Sequence, residues 1–134
     1  MAAAVLSGGC AVPQVLAEDD RRVQVVTTTA LIADLVRNVG GSRVNVVPIV
    51  PPTADPHTYE PSLRDVRDVV YADVAFSNYL LLEPQSVIRT IDANLRPGSR
   101  NVSLAEDAIR YGAEIIPLVE DRSLDTIWLG LRVS

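Results

Sequence analysis

Apolar and polar positions follow two rhythms along this chain. Residues 23–29 (VQVVTTT) are β-branched almost without interruption, the pattern of a strand buried on both faces. Residues 30–39 (ALIADLVRNV) switch to a helical period, with Leu31 and Leu35 on one face and Ile32 and Val36 one step round. Gly40-Gly41 then stops the helix. Residues 43–50 (RVNVVPIV) read as a second apolar strand. Pro48 has no N–H to give to a ladder, so this strand lies at a sheet edge or ends early. Strand, helix and strand with tight joints make a βαβ unit, and its crossover is expected to be right-handed.

Residues 51–61 (PPTADPHTYEP) hold four prolines and no periodicity. They predict a stiff loop leaving the carboxyl end of the second strand, the edge at which parallel sheets bind ligands. Ser62 followed by Asp65 has the spacing of a capping box, and Leu63, Val66, Val69 and Val70 supply the apolar stripe of the helix it opens. Residues 73–78 (DVAFSN) predict a third strand. Glu83 or Pro84 opens the next helix, which runs through Val87, Ile88, Ile91 and Leu95 to a stop at Pro97-Gly98. Residues 101–104 predict a fourth strand. Beyond Ala105 the pattern weakens, with 114–119 and 126–133 as strand candidates. Serial βα steps of this kind predict an α/β fold, a mainly parallel sheet flanked by helices.

Composition narrows the function classes. A chain of 134 residues is the size of one domain, and 48 % hydrophobic residues suffice for a real core. The net charge of −5 argues against a nucleic-acid partner, because phosphate binding needs a basic face. Every basic residue is arginine, which reads as a genomic composition bias. One cysteine excludes an internal disulfide framework, and one histidine excludes a multi-histidine metal site built by this chain alone. No apolar run approaches the roughly 20 residues of a membrane helix.

Residues 1–9 (MAAAVLSGG) are small and apolar and lead to Cys10. This is similar to the end of a bacterial lipoprotein signal, in which Cys10 would be lipidated. Leu6 sits one place further from the cysteine than usual, and no basic residue precedes the apolar run. The alternative is a tail holding a free cysteine. Residues 11–22 (AVPQVLAEDDRR) read as a tether. The expected organisation is therefore a signal remnant and tether over 1–22 and an α/β lobe over 23–134.

His57 is the main chemical candidate. It lies in the proline-stiffened run Asp55-Pro56-His57-Thr58-Tyr59-Glu60, and neutral imidazole is a common ligand for zinc and other first-row metals. Flanking prolines lower the entropy lost when the ring is fixed, and Asp55 or Glu60 is placed to orient it. The spacing alone leaves open a loop histidine bonded to a backbone carbonyl. His57 and Glu60 also form H-x-x-E, a short and common pattern that leaves metal-assisted hydrolysis as the lowest-ranked reading. Glu83 reads as a helix N-terminal carboxylate, Thr27-Thr28-Thr29 as β-formers at a strand end, and Trp128 as core or interface. The spacing shows no phosphate loop and no nucleophile set.

Three segments together, VVTTTALIADLVRNVGG, DPHTYEPSLRDVRDV and ADVAFSNYLLLE, resemble the cluster 9 (TroA/ZnuA-like) solute-binding proteins of bacterial ABC transporters. The likeness is strong from about Val23 to Glu83 and looser to about Val119. It implies one lobe of a two-lobe periplasmic-binding-protein-like fold and a non-enzymatic role. That role is binding a divalent metal such as zinc or manganese and delivering it to an ABC permease. The implied location is extracytoplasmic, held at the cell membrane by a lipid on Cys10 or free in the periplasm. His57 would occupy the first ligand position. The family is roughly twice this long, so the chain is expected to be the N-terminal lobe only. A second histidine is expected in a D-P-H-x-W-L segment; here the nearest stretch, Asp125-Thr126-Ile127-Trp128-Leu129, lacks both the proline and the histidine. That departure raises the alternative of a divergent receptor of the same fold, without a metal site, that binds another ligand or a partner protein.

Overall fold

The computed structural model describes residues 15–17, 19–79, 82–118 and 128–132. Four parallel strands form the sheet, β1 (Val23–Thr27) and β2 (Val44–Pro48) from the β-branched runs, then β3 (Val74–Ser77) and β4 (Arg100–Ser103). Helices α1 (Ala30–Gly40), α2 (Leu63–Tyr71), α3 (Gln85–Asn94) and α4 (Leu104–Arg110) alternate with them. The strand order is β2-β1-β3-β4, so the chain steps outward from β1 to β2 and returns over β1 to β3. Reversal of direction places helices on both faces when every crossover is right-handed. Pro48 ends β2, and β2 is an edge strand, as the missing N–H requires.

Alternation along the strands divides the core in two. Val25 and Val46 pack with Ala33 of α1 on one face, against Val36, Val44 and Phe76. Val26, Val47 and Ala75 meet Val69 of α2 and Val87 and Ile91 of α3 on the other. Leu16 joins that second cluster and is fully buried. Its neighbours are tied down by polar side chains: Leu16 N–H donates to Asp68 Oδ1 (3.4 Å), Ala17 N–H to Gln24 Oε1 (3.3 Å), and Asn45 Nδ2 to the Val15 carbonyl (3.0 Å). Residues 15–17, expected as tether, thus form a strap packed into the domain.

Two expectations about helix faces and one about a strand end need correction. Leu31 and Leu35 are 72 % and 56 % exposed; α1 turns Ile32 and Ala33 inward instead. Leu63 is 89 % exposed, and the buried positions of α2 are Asp65, Asp68 and Val69. Hydrogen bonding sets that rotation, because Asp65 serves the capping box and Asp68 serves the strap. Leu104 opens the short helix α4 and does not end β4. A separate antiparallel pair, β5 (Glu114–Leu118) and β6 (Trp128–Arg132), matches the two strand candidates near the end of the sequence. Gly40-Gly41 ends α1, where Gly41 has φ of 56°, and a Cβ on Gly40 would lie 2.5 Å from Val44 Cγ1.

Candidate metal site

The strand order reverses between β1 and β3, and the crevice beyond their carboxyl ends is where open α/β sheets take ligands. Three strand ends are joined there beyond the sheet proper. Ile49 N–H donates to the Thr27 carbonyl (2.8 Å), Val50 N–H to the Thr28 carbonyl (2.9 Å), and Thr28 N–H to the Phe76 carbonyl (2.9 Å). The proline loop leaves from Val50, directly beside this junction.

His57 sits in a turn of that loop and is exposed. The turn is built locally: Ala54 N–H donates to the Pro51 carbonyl (3.0 Å), Thr58 N–H to the Asp55 carbonyl (3.3 Å), and His57 N–H to Asp55 Oδ1 (2.9 Å). The Asp55 carboxylate thus braces the His57 backbone. Further along, Tyr59 Oη donates to Asp65 Oδ2 (3.0 Å), which also accepts from Ser62 N–H (2.7 Å) and Ser62 Oγ (2.8 Å). Ser86 Oγ of α3 donates to the Tyr59 carbonyl (3.4 Å). The loop is thus anchored to β2 at one end and to α2 and α3 at the other. Burial, reinforced by the bond to Asp65, pushes the Tyr59 hydroxyl pKa up, so it stays a donor.

Two clefts border the loop. One of about 420 Å³ lies between it and α2, lined by Pro51, Pro52, Tyr59, Arg64, Asp65 and Asp68. Asp68 is 1 % exposed, and burial raises its carboxyl pKa above the usual value, with the Leu16 N–H pulling the other way. A smaller cleft of about 180 Å³ brings Pro52, Ala54 and Pro56 against Thr29, Ala30 and Leu31 at the start of α1.

The three threonines are engaged internally. Thr27 Oγ1 donates to the Thr29 carbonyl (3.0 Å), Thr29 Oγ1 caps α1 by accepting from Ile32 N–H (3.4 Å), and Thr28 Oγ1 donates to Glu83 Oε1 (2.5 Å). Glu83 is not the N-terminal carboxylate of α3: Pro84 is the cap, and Glu83 is buried and turned to the strand ends. Sequence reasoning missed this role, and the Tyr59–Asp65 bond as well. Their only signal was an acidic residue on an otherwise apolar or capped stretch. Cys10 and residues 125–127 lie outside the described residues; Trp128 and Leu129 are in β6. Among the described residues, no group of three or more His, Cys, Asp or Glu side chains converges as a metal cage.

The sheet is doubly wound, with a switch-point crevice at its carboxyl edge and a braced histidine loop beside it. The chain belongs to the family described as zinc-uptake complex component A, periplasmic, which matches residues 25–125. The manganese-binding lipoprotein MntA of Bacillus subtilis is 30 % identical over 124 residues, 92 % of this chain and 39 % of that protein. A metal ABC transporter substrate-binding lipoprotein of Lactococcus lactis is 37 % identical over 83 residues, 62 % of this chain and 26 % of that one. Among solved structures, the zinc-binding protein TroA of Treponema pallidum superposes with a TM-score of 0.57 at 30 % identity, covering 78 % of this chain and 34 % of TroA. A manganese-bound periplasmic metal-binding protein of Candidatus Liberibacter asiaticus gives a TM-score of 0.61 at 25 % identity, over 74 % of this chain and 35 % of that one. The chain thus spans well under half the length of these relatives.

Proposed function

We propose that this chain is the N-terminal lobe of an extracytoplasmic solute-binding protein that carries a divalent metal, zinc or manganese, to an ABC permease. The observation that carries the reading is the placement of His57, exposed on a braced loop at the switch-point edge of the sheet. The names of the relatives support the cargo: manganese for MntA, zinc for TroA. Neutral imidazole suits both metals. Bracing by Asp55, Tyr59 and Ser86 reduces the entropy lost when the ring is immobilised on a cation. A second lobe would supply the remaining ligands and close over the metal, and the closed pair would dock on the permease. Cys10, six residues before the buried Leu16, is the proposed lipid anchor. The proposed role is binding; the hydrolytic alternative would use His57 with Glu60, and turnover of a model ester or amide that depends on Glu60 would favour it.

Thermal unfolding of the full-length, two-lobe protein with and without zinc or manganese tests the ligand. A cation held only by the folded state raises stability, by about 2.7 kcal/mol at a hundredfold excess over Kd. His57→Ala should remove that rise. An equal rise in His57→Ala would take the metal role from His57. No rise in either protein would favour the divergent receptor that the missing proline and histidine in 125–129 suggest. Cys10→Ser should shift the protein from the membrane fraction to the soluble one; unchanged fractionation would exclude the anchor.

A further inference from the structure

Glu83 is a buried acid whose carboxylate is surrounded by donors from two other parts of the ligand edge. Its Oε1 accepts from Thr28 Oγ1 (2.5 Å) and from Asn78 N–H (2.8 Å), and its Oε2 accepts from Tyr79 N–H (2.9 Å). Successive backbone N–H groups aimed at one anion form a nest. Tyr79 completes the nest with φ of 64°, and it is the only non-glycine residue among those described with positive φ. Such a backbone persists only where its surroundings hold it. The partners of Glu83 lead on to the histidine loop. Thr28 receives Val50 N–H at its carbonyl and gives its own N–H to Phe76, and the proline loop starts at Val50. On the far side the Asn78 carbonyl takes Ala105 N–H of α4 (3.2 Å).

We infer that Glu83 is a positioning residue for the metal site: its carboxylate locks the carboxyl ends of β1 and β3 together and, through the Thr28–Val50 bond, fixes the base of the His57 loop. It never touches the metal in this scheme. The lock stands on geometry alone, whereas its bearing on metal affinity rests on the proposed role of His57. The residue types follow from the job. A carboxylate offers acceptor sites on both oxygens, which is what two backbone N–H groups and a hydroxyl require. Glutamine has one acceptor and one donor end. If its oxygen serves Thr28 and Asn78, its amide N–H₂ meets the Tyr79 N–H, donor against donor.

The test is amide hydrogen exchange by NMR on the metal-free chain, comparing wild type with Glu83→Gln, the double variant Glu83→Gln/Tyr79→Gly, and Thr28→Val. Losing one buried acceptor should speed exchange at Asn78, Tyr79 and Val50 by roughly tenfold or more in Glu83→Gln. The amide of His57 should shift, although no bond joins it to Glu83. Amides in the last turn of α1 should keep their rates. Glycine accepts positive φ without strain but keeps the backbone N–H, so Tyr79→Gly in the Glu83→Gln background should leave the faster exchange in place; recovered protection would mean that strain at residue 79, and not the lost acceptor, loosens the edge, and would overturn the inference. Thr28→Val should loosen Val50 while leaving Tyr79 protected. Uniform acceleration over the whole domain would reduce Glu83 to a general stabiliser and overturn the inference, as would acceleration confined to Asn78 and Tyr79. Zinc titration of the same variants separates the two readings. Weaker binding in Glu83→Gln with an unchanged His57 ring signature on saturation supports positioning. Should the exchange pattern appear while zinc leaves the His57 ring untouched in wild type, the metal reading fails and the lock survives.

Discussion

Asp68 shows how a single side chain can serve the fold at a cost to stability. It is almost fully buried, accepts one long backbone bond from Leu16, and its carboxyl is harder to ionise than usual. A carboxyl whose pKa rises on folding binds its proton more tightly in the folded state. Its contribution is therefore most favourable at low pH and is lost as pH climbs from the ordinary 3.8 through the raised value. Asp68→Asn keeps an acceptor for Leu16 and removes the charge. Urea unfolding should find the variant more stable than wild type at pH 7, with the gain fading below the ordinary carboxylate range. A gain that ignores pH would contradict this assignment. At this scale the sequence was only partly legible. His57 stood out because a lone histidine in a prolyl loop is rare chemistry, and Ser62 with Asp65 was recognisable as a capping box that the structure contains. Glu83 and Asp68 were not legible in the same way. Thr28 lies 55 residues from Glu83 and Leu16 lies 52 from Asp68, and no local pattern records a contact over such a separation.

Among the elements, the strands and α1 fall where β-branched runs and the glycine pair place them. What periodicity could not fix is which part of a broad apolar helix surface turns inward. Ile32 and Ala33 of α1 do, while Leu31, Leu35 and Val39 remain exposed. Leu35 and Val39 border an apolar groove of about 400 Å³ that also takes in Val23, Val74, Phe76 and Leu104. The strap of residues 15–17 escaped sequence reading for a related reason: a single leucine among polar and small residues carries no period, yet it fills a core position. Leu16→Ala should cost about 2–5 kcal/mol, the range for emptying a fully buried leucine site. Urea midpoints at constant slope will show this, and a cost under about 0.5 kcal/mol, typical of surface sites, would mean the strap is undocked in solution.

For the molecule as a whole, serial βα steps were enough to anticipate a parallel sheet with helices on both faces. The order β2-β1-β3-β4 then places the proline loop and the switch point on one edge. Membership of the zinc-uptake complex component A family agrees with that architecture. A complete ligand set is a different matter. In the proposed two-lobe receptor this chain would contribute part of such a set, and the 125–129 segment lacks the histidine that the resemblance called for. The central claim is therefore that His57, the single histidine of the chain, is a metal ligand. It is tested most directly by zinc titration of the ¹⁵N-labelled protein, followed at the imidazole nitrogens, where one histidine leaves no ambiguity of assignment. The account predicts a saturable shift of one ring nitrogen at neutral pH, reversed by a chelator. Ring nitrogens that keep their positions up to millimolar zinc would contradict it.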